Sequence, residues 1–215
     1  MEDVLHFFAK APTTAIADAS TALGLNLIME GIGPLEPFTG ARVAAPAATL
    51  RFAPVQAPGG GRASLYGVLE EIPRGALAVF AGGGTSLALV GANGARVLHR
   101  RGAAGAVADG AARDVLEIRE LGLPVWCRGV RSLPYTRRLE LIERDRPVEC
   151  GGVQVAPGDI LVADADGVAV VPRGRAEEVR QRVETVMAAE REFNERFARG
   201  EPAQALAELM QRKWR

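Results

Sequence analysis

The sequence predicts an α/β domain, and three observations support this fold class. Three short, largely apolar runs, 76–81, 104–109 and 123–129, are predicted to be buried strands. Segments with helical spacing separate them, and strands that alternate with helices are typical of parallel sheets with right-handed crossovers. A later segment, 148–172, alternates apolar and polar residues, as antiparallel hairpins do. At 215 residues the chain is long enough for one domain with a sizeable core.

Local signals place the first helices and strands. Helices are predicted at 13–24, 64–75, 87–98 and 114–122. A hydroxyl cap at Thr13 opens the first helix, Pro73 ends the second, and glycines close the first and the last. The extended segment 41–52 contains Pro46, which favours an edge strand or a bulge because proline cannot donate a hydrogen bond to a neighbouring strand.

The last third of the sequence changes in character. Turn signals at 157–159 and at Asp166-Gly167 divide the hairpin region, and Asp-Gly favours a two-residue turn. From Gly174 onward the sequence is helical and strongly charged. We therefore predict an α/β domain over residues 1–173 and a C-terminal helical extension over 174–215, which we expect to pack on a neighbouring subunit.

Composition and charge exclude several classes of function. The formal net charge is zero, so we expect no general attraction to nucleic acid or to an anionic membrane. The longest apolar runs are far shorter than a membrane span, and the acidic N-terminus lacks the features of a signal peptide. Cys127 and Cys150 are too few for a disulfide framework, so we expect two reduced thiols and a cytoplasmic protein.

Histidine is scarce, which limits the chemistry that the chain can perform. The two histidines, His6 and His99, are far apart, and the motifs of zinc hydrolases and serine hydrolases are absent. A favourable interaction with a helix dipole explains His99 at a predicted helix end. If the chain is an enzyme, its chemistry must therefore depend on carboxylates and arginine, with or without a hard metal ion.

Two glycine-rich segments are candidates for binding an anion. The segment FAGGGTS (80–86) follows a predicted strand and precedes a predicted helix, where backbone amides favour an anion. Its spacing matches neither the dinucleotide-binding nor the Walker loop, so a tight turn is the simpler interpretation. In VGANGA (90–95), Gly91 and Gly94 each weaken a helix by about 1 kcal/mol, which favours a helix break or a helix start near Gly91. Free amides at Asn93 and Gly94 would then bind a carboxylate.

Arg113 and Asp114 stand side by side where a strand is predicted to pass into a helix. In the structural interpretation, Asp114 caps the helix and Arg113 is a solvated neighbour. In the functional interpretation, the planar guanidinium of Arg113 binds a carboxylate while Asp114 ligates a divalent cation. Mg²⁺ often takes only one or two protein carboxylates and fills its other positions with water and substrate oxygens, so a single aspartate does not exclude a metal site.

Four stretches of the sequence resemble the family that contains 4-hydroxy-4-methyl-2-oxoglutarate aldolase and the ribonuclease E activity regulator A. They are ADA (17–19), FAGGGTSLALVGANGA (80–95), GAAGAVADGAARDVLEIRELGLPVWCRGV (102–130) and CGGVQVAPGDILVADADGVAVVP (150–172). The resemblance implies a swivelling β/β/α domain of the phosphohistidine type, assembled as a homotrimer or a dimer of trimers. It also implies a class II aldolase that releases pyruvate, with oxaloacetate decarboxylation as a related activity.

The resemblance further implies roles for individual residues. Arg113 would bind the pyruvyl carboxylate, and Asp114 would hold Mg²⁺ or Mn²⁺. The Gly91–Gly94 turn, which includes Ala92 and Asn93, would offer backbone amides to the same carboxylate. The regulators of the family lack the aspartate after this arginine, so Asp114 favours an enzyme.

The groups that would move protons are less well matched. The family's aldolases carry an acidic residue at the position of Ala92, and alanine can neither orient a water nor move a proton. In the family, a glutamate from a neighbouring subunit's C-terminal helix helps to organise the water ligands of the metal. Glu190 is the best match to that glutamate, with Glu192 as the second choice.

We therefore predict a divalent-metal-dependent lyase acting on a small 2-oxo acid, with the metal on Asp114 as the Lewis acid that stabilises an enolate. Decarboxylation needs no base to begin, so it tolerates Ala92 better than aldol cleavage does. Two alternatives stay open. One is a non-catalytic regulatory or binding protein on the same scaffold, and the other is a pathway-specific lyase with a different substrate, because Ala92 opens space beside the metal.

Overall fold

The computed structural model describes residues 2–35, 42–56 and 64–214, and in these ranges the chain forms seven α-helices and twelve β-strands. The helices are α1 (Glu2–Phe8), α2 (Thr13–Leu23), α3 (Leu65–Glu70), α4 (Ala92–Arg101), α5 (Val115–Leu121), α6 (Ala176–Ala198) and α7 (Ala207–Gln211). The strands are β1 (Gly33–Pro34), β2 (Val43–Pro54), β3 (Leu77–Ala81), β4 (Ala88–Val90), β5 (Gly105–Ala108), β6 (Ala111–Ala112), β7 (Val125–Cys127), β8 (Leu139–Arg144), β9 (Val148–Cys150), β10 (Val153–Val155), β11 (Ile160–Ala163) and β12 (Val168–Val171).

The main sheet has a parallel centre. Its strand order is β1-β7-β5-β3-β2-β11-β12, and β8 also pairs with β2. Strands β7, β5, β3 and β2 run parallel because a helix crosses between each successive pair along the chain, whereas the outer pairings are antiparallel. The three predicted buried strands are confirmed as β3, β5 and β7, which lie side by side.

Pro46 lies in β2, which stands inside the sheet between β3 and β11, so the prediction of an edge strand is wrong. The strand changes its pairing partner at this proline. Up to Pro46 the strand pairs with β11, and from Ala47 onward it also pairs with β3. The Ala47 N–H donates to the Asp159 carbonyl oxygen on the β11 side at 2.8 Å, and successive residues point to opposite sides. The nitrogen of Pro46 therefore faces a position where β3 has not yet begun, and the irregularity in β2 lies between Arg51 and Phe52 instead.

Three buried apolar clusters hold the layers together. The first lies between the sheet and helices α3, α4 and α5, and includes Phe80 and Leu98. The second covers the opposite face of the sheet, where Trp126 packs near the β9–β10 hairpin. The third joins α1, α2 and α6 to β11 and β12. The site described below stands at the border of the first cluster, to which β4, β6 and α5 all contribute.

The long helix α6 packs on its own protomer through a narrow apolar face. Val179, Val183 and Val186 are fully buried against α1 and α2, at the spacing that places side chains on one side of a helix. Of the twenty other residues of α6, twelve are exposed and ten are charged. Contact between this helix and a neighbouring subunit stays a prediction. No helix in the described ranges is long and apolar enough to cross a lipid bilayer.

Three local predictions are corrected. The Thr13 hydroxyl does not cap α2, because it donates to the buried carboxylate of Asp164 at 2.6 Å. The segment 87–98 is not one helix, since strand β4 precedes α4. The glycine turn at 82–84 therefore leads into a strand, and the anion site that a helix start would have provided there is absent.

The region 148–172 is antiparallel as predicted and forms two hairpins, β9–β10 and β11–β12. The first hairpin turns at Gly151-Gly152, whereas the predicted turn at 157–159 joins β10 to β11, which do not pair. The second hairpin turns at the predicted Asp166-Gly167, but through a four-residue loop and not the expected two-residue turn. Its loop runs from Asp164 to Gly167, with the Asp164 N–H donating to the Gly167 carbonyl oxygen at 3.0 Å. The Asp164 carboxylate also accepts the Asp166 N–H at 3.0 Å and so holds this turn from inside.

Candidate functional site

A small parallel ladder outside the main sheet brings two sequence motifs together. Strands β4 and β6 pair in parallel, and each leads directly into a helix, α4 and α5 respectively. Because the carboxyl ends of parallel strands meet at the same edge, Gly91 after β4 lies beside Arg113 after β6. The Arg113 N–H donates to the Val90 carbonyl oxygen at 2.9 Å, which fixes this register.

Asp114 has an unusual backbone and an unusual side-chain contact. Its φ of 57° and ψ of 46° are left-handed, a conformation that costs a non-glycine residue about 1–2 kcal/mol. Its side chain does not cap α5. Instead Oδ2 accepts the Ala92 N–H at 3.1 Å, at the first residue of α4, and Oδ1 has no hydrogen-bond partner within the described ranges. The helix-cap interpretation of Asp114 is therefore wrong, and one carboxylate oxygen is available to a ligand.

Arg113 lies beside this carboxylate, but the contact leaves most of its hydrogen-bond donors unused. Its Nε is 3.6 Å from Asp114 Oδ2, and each of the two side chains is about two-fifths exposed. The terminal nitrogens of the guanidinium have no hydrogen-bond partner among the described residues, so they are free to bind a carboxylate in a bidentate manner.

Gly91 makes room for both side chains. A Cβ at this position would lie 2.9 Å from Asp114 Oδ2 and 3.2 Å from Arg113 Nε. Gly91 is also the residue at which α4 begins, with an extended backbone at φ −136° and ψ 174°. The helix start that the sequence predicted near Gly91 is thus confirmed. Because Gly91 has no side chain, the side chains of Asp114 and Arg113 can approach the start of α4.

These groups line a small cavity of about 80 Å³. Twelve residues form its wall: Leu65, Tyr66, Ala88, Leu89, Gly91, Asn93, Gly94, Arg113, Asp114, Pro134, Tyr135 and Thr136. The amides of Asn93 and Gly94 lie in the first turn of α4, where no helical carbonyl accepts them and the helix dipole favours negative charge. The wall therefore combines a guanidinium, two amides and a carboxylate around a space suited to a small anion.

Tyr66 and Tyr135 were not singled out from the sequence, although they are the only tyrosines in the chain. Tyr135 reaches the cavity on the loop before β8, which is held by bridges from Pro134 to Ala88 and from Val130 to Ala112. Burial raises the pKa of the Tyr135 hydroxyl most, the nearby Tyr66 raises it further, and the charge of Arg113 lowers it. The Tyr135 phenol therefore stays protonated near neutral pH.

The structure places the other predicted site residues differently. Ala92 acts through its backbone N–H, and its methyl group is buried and absent from the cavity wall, so the prediction that Ala92 opens space beside the metal is wrong. Glu190 lies on α6 and forms an ion pair with Lys213, which also contacts Asp18. Glu192 pairs with Arg196 on the same helix. Neither glutamate reaches Asp114 within one protomer, so a role for either one from a neighbouring subunit stays a prediction.

The cavity wall can hold a divalent cation only through a single protein ligand, Asp114. The described part of the chain contains no group of three or more histidine, cysteine, aspartate or glutamate side chains that could form a metal cluster. Asp114 alone offers a free carboxylate oxygen toward the cavity. Such a site suits a hard cation such as Mg²⁺, which keeps most of its water and takes oxygen atoms from a bound substrate. It does not suit zinc, which requires several nitrogen or sulfur ligands.

The chain is similar to known proteins over most of its length. The family model RraA-like (Aldolase/RraA) matches residues 13–170. A Halalkalibacterium halodurans protein, provisionally named as a 4-hydroxy-4-methyl-2-oxoglutarate aldolase, is 34% identical over 180 residues, which cover 84% of this chain and 81% of that protein. A 4-hydroxy-4-methyl-2-oxoglutarate aldolase of Thermus thermophilus is 41% identical over 108 residues, covering 49% of this chain and 64% of that protein.

Solved structures show the same fold. Streptomyces coelicolor RraAS2, described as an unusual member of the RNase ES inhibitor RraA protein family, has a TM-score of 0.78 at 31% identity, with 94% of this chain and 98% of that chain covered. An uncharacterized protein from Pseudomonas syringae pv. tomato has a TM-score of 0.82 at 26% identity, covering 96% and 97%. The swivelling β/β/α fold predicted with a C-terminal helical segment is therefore confirmed, and the chain belongs to the RraA-like family of aldolases and RraA proteins.

Proposed function

We propose that this protein is a divalent-metal-dependent carbon–carbon lyase that acts on a small 2-oxo acid, with oxaloacetate decarboxylation as its main reaction. The observation that carries the proposal is the convergence of the free Asp114 oxygen, the Arg113 guanidinium and the first-turn amides of α4 on one cavity. The aldolase names of its relatives support a lyase. A cavity of about 80 Å³ favours a short substrate, because pockets for drug-sized ligands span roughly 300–1,000 Å³.

Different residues of the cavity would bind different groups of the substrate. The substrate carboxylate would lie between the Arg113 guanidinium and the amides of Asn93 and Gly94, where the dipole of α4 also favours a negative charge. This arrangement would hold the 2-oxo group toward the free oxygen of Asp114. A Mg²⁺ or Mn²⁺ ion held by Asp114 would supply Lewis-acid chemistry to the 2-oxo group.

Ala92 decides which cleavage is easier. Loss of CO₂ from oxaloacetate starts without a base, whereas aldol cleavage must first remove a proton from a hydroxyl group. The position of Ala92 offers no group for that proton, and proton transfer by a placed side chain contributes roughly 10²–10⁴-fold to a rate. We therefore expect decarboxylation to exceed aldol cleavage in this protein.

A regulatory or binding protein is the second candidate. The observation that favours it is the alanine at position 92, together with the likeness to RraAS2, whose description names an RNase inhibitor family. A different substrate for the same lyase site is the third. Both alternatives predict no pyruvate from oxaloacetate or from 4-hydroxy-4-methyl-2-oxoglutarate.

The test is pyruvate release from each of these two substrates, with Mg²⁺ and then with EDTA, corrected for the reaction of Mg²⁺ without protein. Asp114→Ala should lower kcat/KM by about 10²-fold or more, as the loss of one electrostatic group from an active site typically does. Isothermal titration should show Mg²⁺ binding that tightens with oxalate in the wild type and not in the variant.

Asp145 offers a matched control for this substitution. It is an exposed aspartate that also has a left-handed backbone, with φ 53°, so Asp145→Ala removes the same group under the same backbone strain. We expect it to keep the wild-type kcat/KM and metal affinity. Equal activity and metal affinity in Asp114→Ala and Asp145→Ala would remove Asp114 from the site, and no turnover in the wild type would favour the second or third candidate.

A further inference from the structure

Both tyrosines of the chain stand on the wall of the cavity that holds Arg113 and Asp114. Tyr66 lies in the first turn of α3 and is half exposed, whereas Tyr135 is partly buried. Neither phenol hydroxyl has a hydrogen-bond partner in the parts of the chain that the structure describes. Two protic groups are therefore available where the substrate would bind.

The surroundings of Tyr135 hold it in one orientation. Its N–H donates to the Ala88 carbonyl oxygen at 3.2 Å, and its own carbonyl oxygen accepts the N–H of Leu139 at 2.9 Å. Its ring packs edge-on against the buried ring of Phe52, with centroids 5.2 Å apart and an interplanar angle of 75°. A side chain locked by packing and backbone contacts can place a reacting atom reproducibly, which the half-exposed Tyr66 cannot do as well.

The charges around the Tyr135 hydroxyl suit a proton donor. Burial and Tyr66 raise the pKa of this phenol, so the proton is present near neutral pH. Arg113 acts on the same hydroxyl in the opposite direction and therefore stabilises the phenolate once the proton has left. Among the other protic side chains on the wall, the Asn93 amide and the Thr136 hydroxyl are much weaker acids than a phenol. The Arg113 guanidinium would bind the substrate carboxylate, and Tyr66 is half exposed.

We propose that Tyr135 delivers the proton that converts the enolate of pyruvate into pyruvate, a task for which position 92 offers no acid. This inference rests on the proposed decarboxylation. When CO₂ leaves oxaloacetate, the C3–C4 bond breaks and its electron pair remains on C3 and the 2-oxo group. The O–H bond of Tyr135 then breaks as the C3–H bond forms, the negative charge moves to the phenolate beside Arg113, and water from the open side of the cavity returns a proton to the phenolate.

The test separates proton transfer from carbon–carbon cleavage. By microscopic reversibility, the group that protonates C3 also removes a proton from the methyl group of bound pyruvate. Methyl exchange in D₂O, followed by proton NMR, should therefore fall by about 10²-fold or more in Tyr135→Phe. Decarboxylation of oxaloacetate should fall by less than about tenfold, because the bond to CO₂ breaks before the proton moves. Pyruvate affinity measured by calorimetry should stay within about threefold.

Tyr66→Phe is the matched comparison, since it removes the same atom from the same cavity wall. The Tyr135→Phe substitution keeps the ring and its contact with Phe52, so its fold should survive, and its melting temperature checks this. A parallel loss of exchange, decarboxylation and pyruvate affinity in Tyr135→Phe would overturn the inference, because it would indicate a structural or binding role. A greater loss of exchange in Tyr66→Phe would overturn the assignment to Tyr135.

The same measurements distinguish failure of this inference from failure of the proposed function. A wild-type protein that neither decarboxylates oxaloacetate nor exchanges the methyl protons of pyruvate lacks the proposed function altogether. A wild-type protein that performs both reactions, alongside a Tyr135→Phe variant that exchanges equally fast, keeps the proposed function and loses Tyr135 as the proton donor.

Discussion

Replacing Gly91 with alanine tests the geometry of the site with the smallest possible change. The new Cβ would lie 2.9 Å from Asp114 Oδ2 and 3.2 Å from Arg113 Nε, whereas ordinary contact with a Cβ begins at 3.4 Å. The Asp114 carboxylate must therefore move away by about 0.5 Å, from 2.9 Å to the ordinary contact distance of 3.4 Å. The extended backbone of Gly91 suits alanine equally well, so the substitution introduces no conformational strain.

The magnitude follows from the hydrogen bond that would be stretched. The distance from the Ala92 nitrogen to Asp114 Oδ2 is 3.1 Å, and a retreat of about 0.5 Å takes it beyond hydrogen-bond range. A hydrogen bond to a charged group contributes about 1.5–3 kcal/mol, and a tenfold change in an equilibrium or rate corresponds to about 1.4 kcal/mol. We therefore expect kcat/KM for oxaloacetate to fall about 10- to 100-fold in Gly91→Ala.

Stability should not fall with activity. Replacing glycine with alanine in a compatible conformation raises the free energy of unfolding by about 0.4–1 kcal/mol, because the unfolded chain has less conformational freedom. This gain offsets the cost of local repacking. The assay therefore compares kcat/KM and the melting temperature of the wild type, Gly91→Ala and Gly174→Ala. Gly174 is the matched control, because a Cβ there would meet nothing within 4 Å and the residue lies before α6. We expect Gly174→Ala to keep the activity of the wild type.

Two outcomes would refute this reasoning. If Gly91→Ala keeps kcat/KM within about twofold of the wild type, the observed positions of Arg113 and Asp114 are not what catalysis requires. If Gly91→Ala loses activity only in proportion to a lower melting temperature, the effect is one of folding. Only a loss of activity in a fully folded variant supports the geometry of the site.

Two further predictions concern stability and assembly. Burial alone would raise the pKa of Asp164, but hydrogen bonds from Thr13, Arg42 and Asp166 outweigh it and hold the pKa below its ordinary value. The ionised Asp164 carboxylate therefore stabilises the fold fully at a pH above the ordinary aspartate pKa of about 3.9. This stabilisation is lost as the pH falls through the lower pKa that Asp164 has in the folded protein. Asp164→Asn should lower the free energy of unfolding by about 2–4 kcal/mol at pH 7. Urea titration should show the difference between wild type and variant narrowing as the pH falls below about 4, and a difference independent of pH would contradict the ionic role. Light scattering should give three subunits or a multiple of three, and a monomer at working concentration would exclude a cross-subunit role for Glu190.

The parallel core could be predicted because its signals are local. Strands β3, β5 and β7 are short apolar runs with helices between them, and glycines end helices α2, α4 and α5 within the same segments. The pairing of strands that are adjacent in this alternating order follows from the general preference for right-handed crossovers. Nothing beyond neighbouring residues was needed to place these elements.

The ladder that builds the site could not be predicted in the same way. Strand β4 has three residues and β6 has two, so neither is long enough for apolar spacing to distinguish a strand from a helix. Their pairing joins segments that are distant in sequence. The contact between the Ala92 N–H and Asp114 depends on that pairing, and so does the burial of the Ala92 methyl group, which counting along the sequence placed in the cavity.

Tyr135 shows most clearly why part of the site stayed hidden. The loop that carries it reaches the cavity through the bridges to Ala88 and Ala112, residues of the same two short strands. The Ala92 methyl group is buried and adds no charge, and Asp114 is the one acidic residue among the described residues of the cavity wall. The Asp114 carboxylate is then available to a cation, while a neutral phenol can carry the proton without adding charge. In the proposed reaction, Arg113 would bind the substrate carboxylate and would also stabilise the phenolate. An alanine at position 92 and a phenol at position 135 therefore both suit the proposed decarboxylation, in which CO₂ would leave without a base and the proton would arrive afterwards.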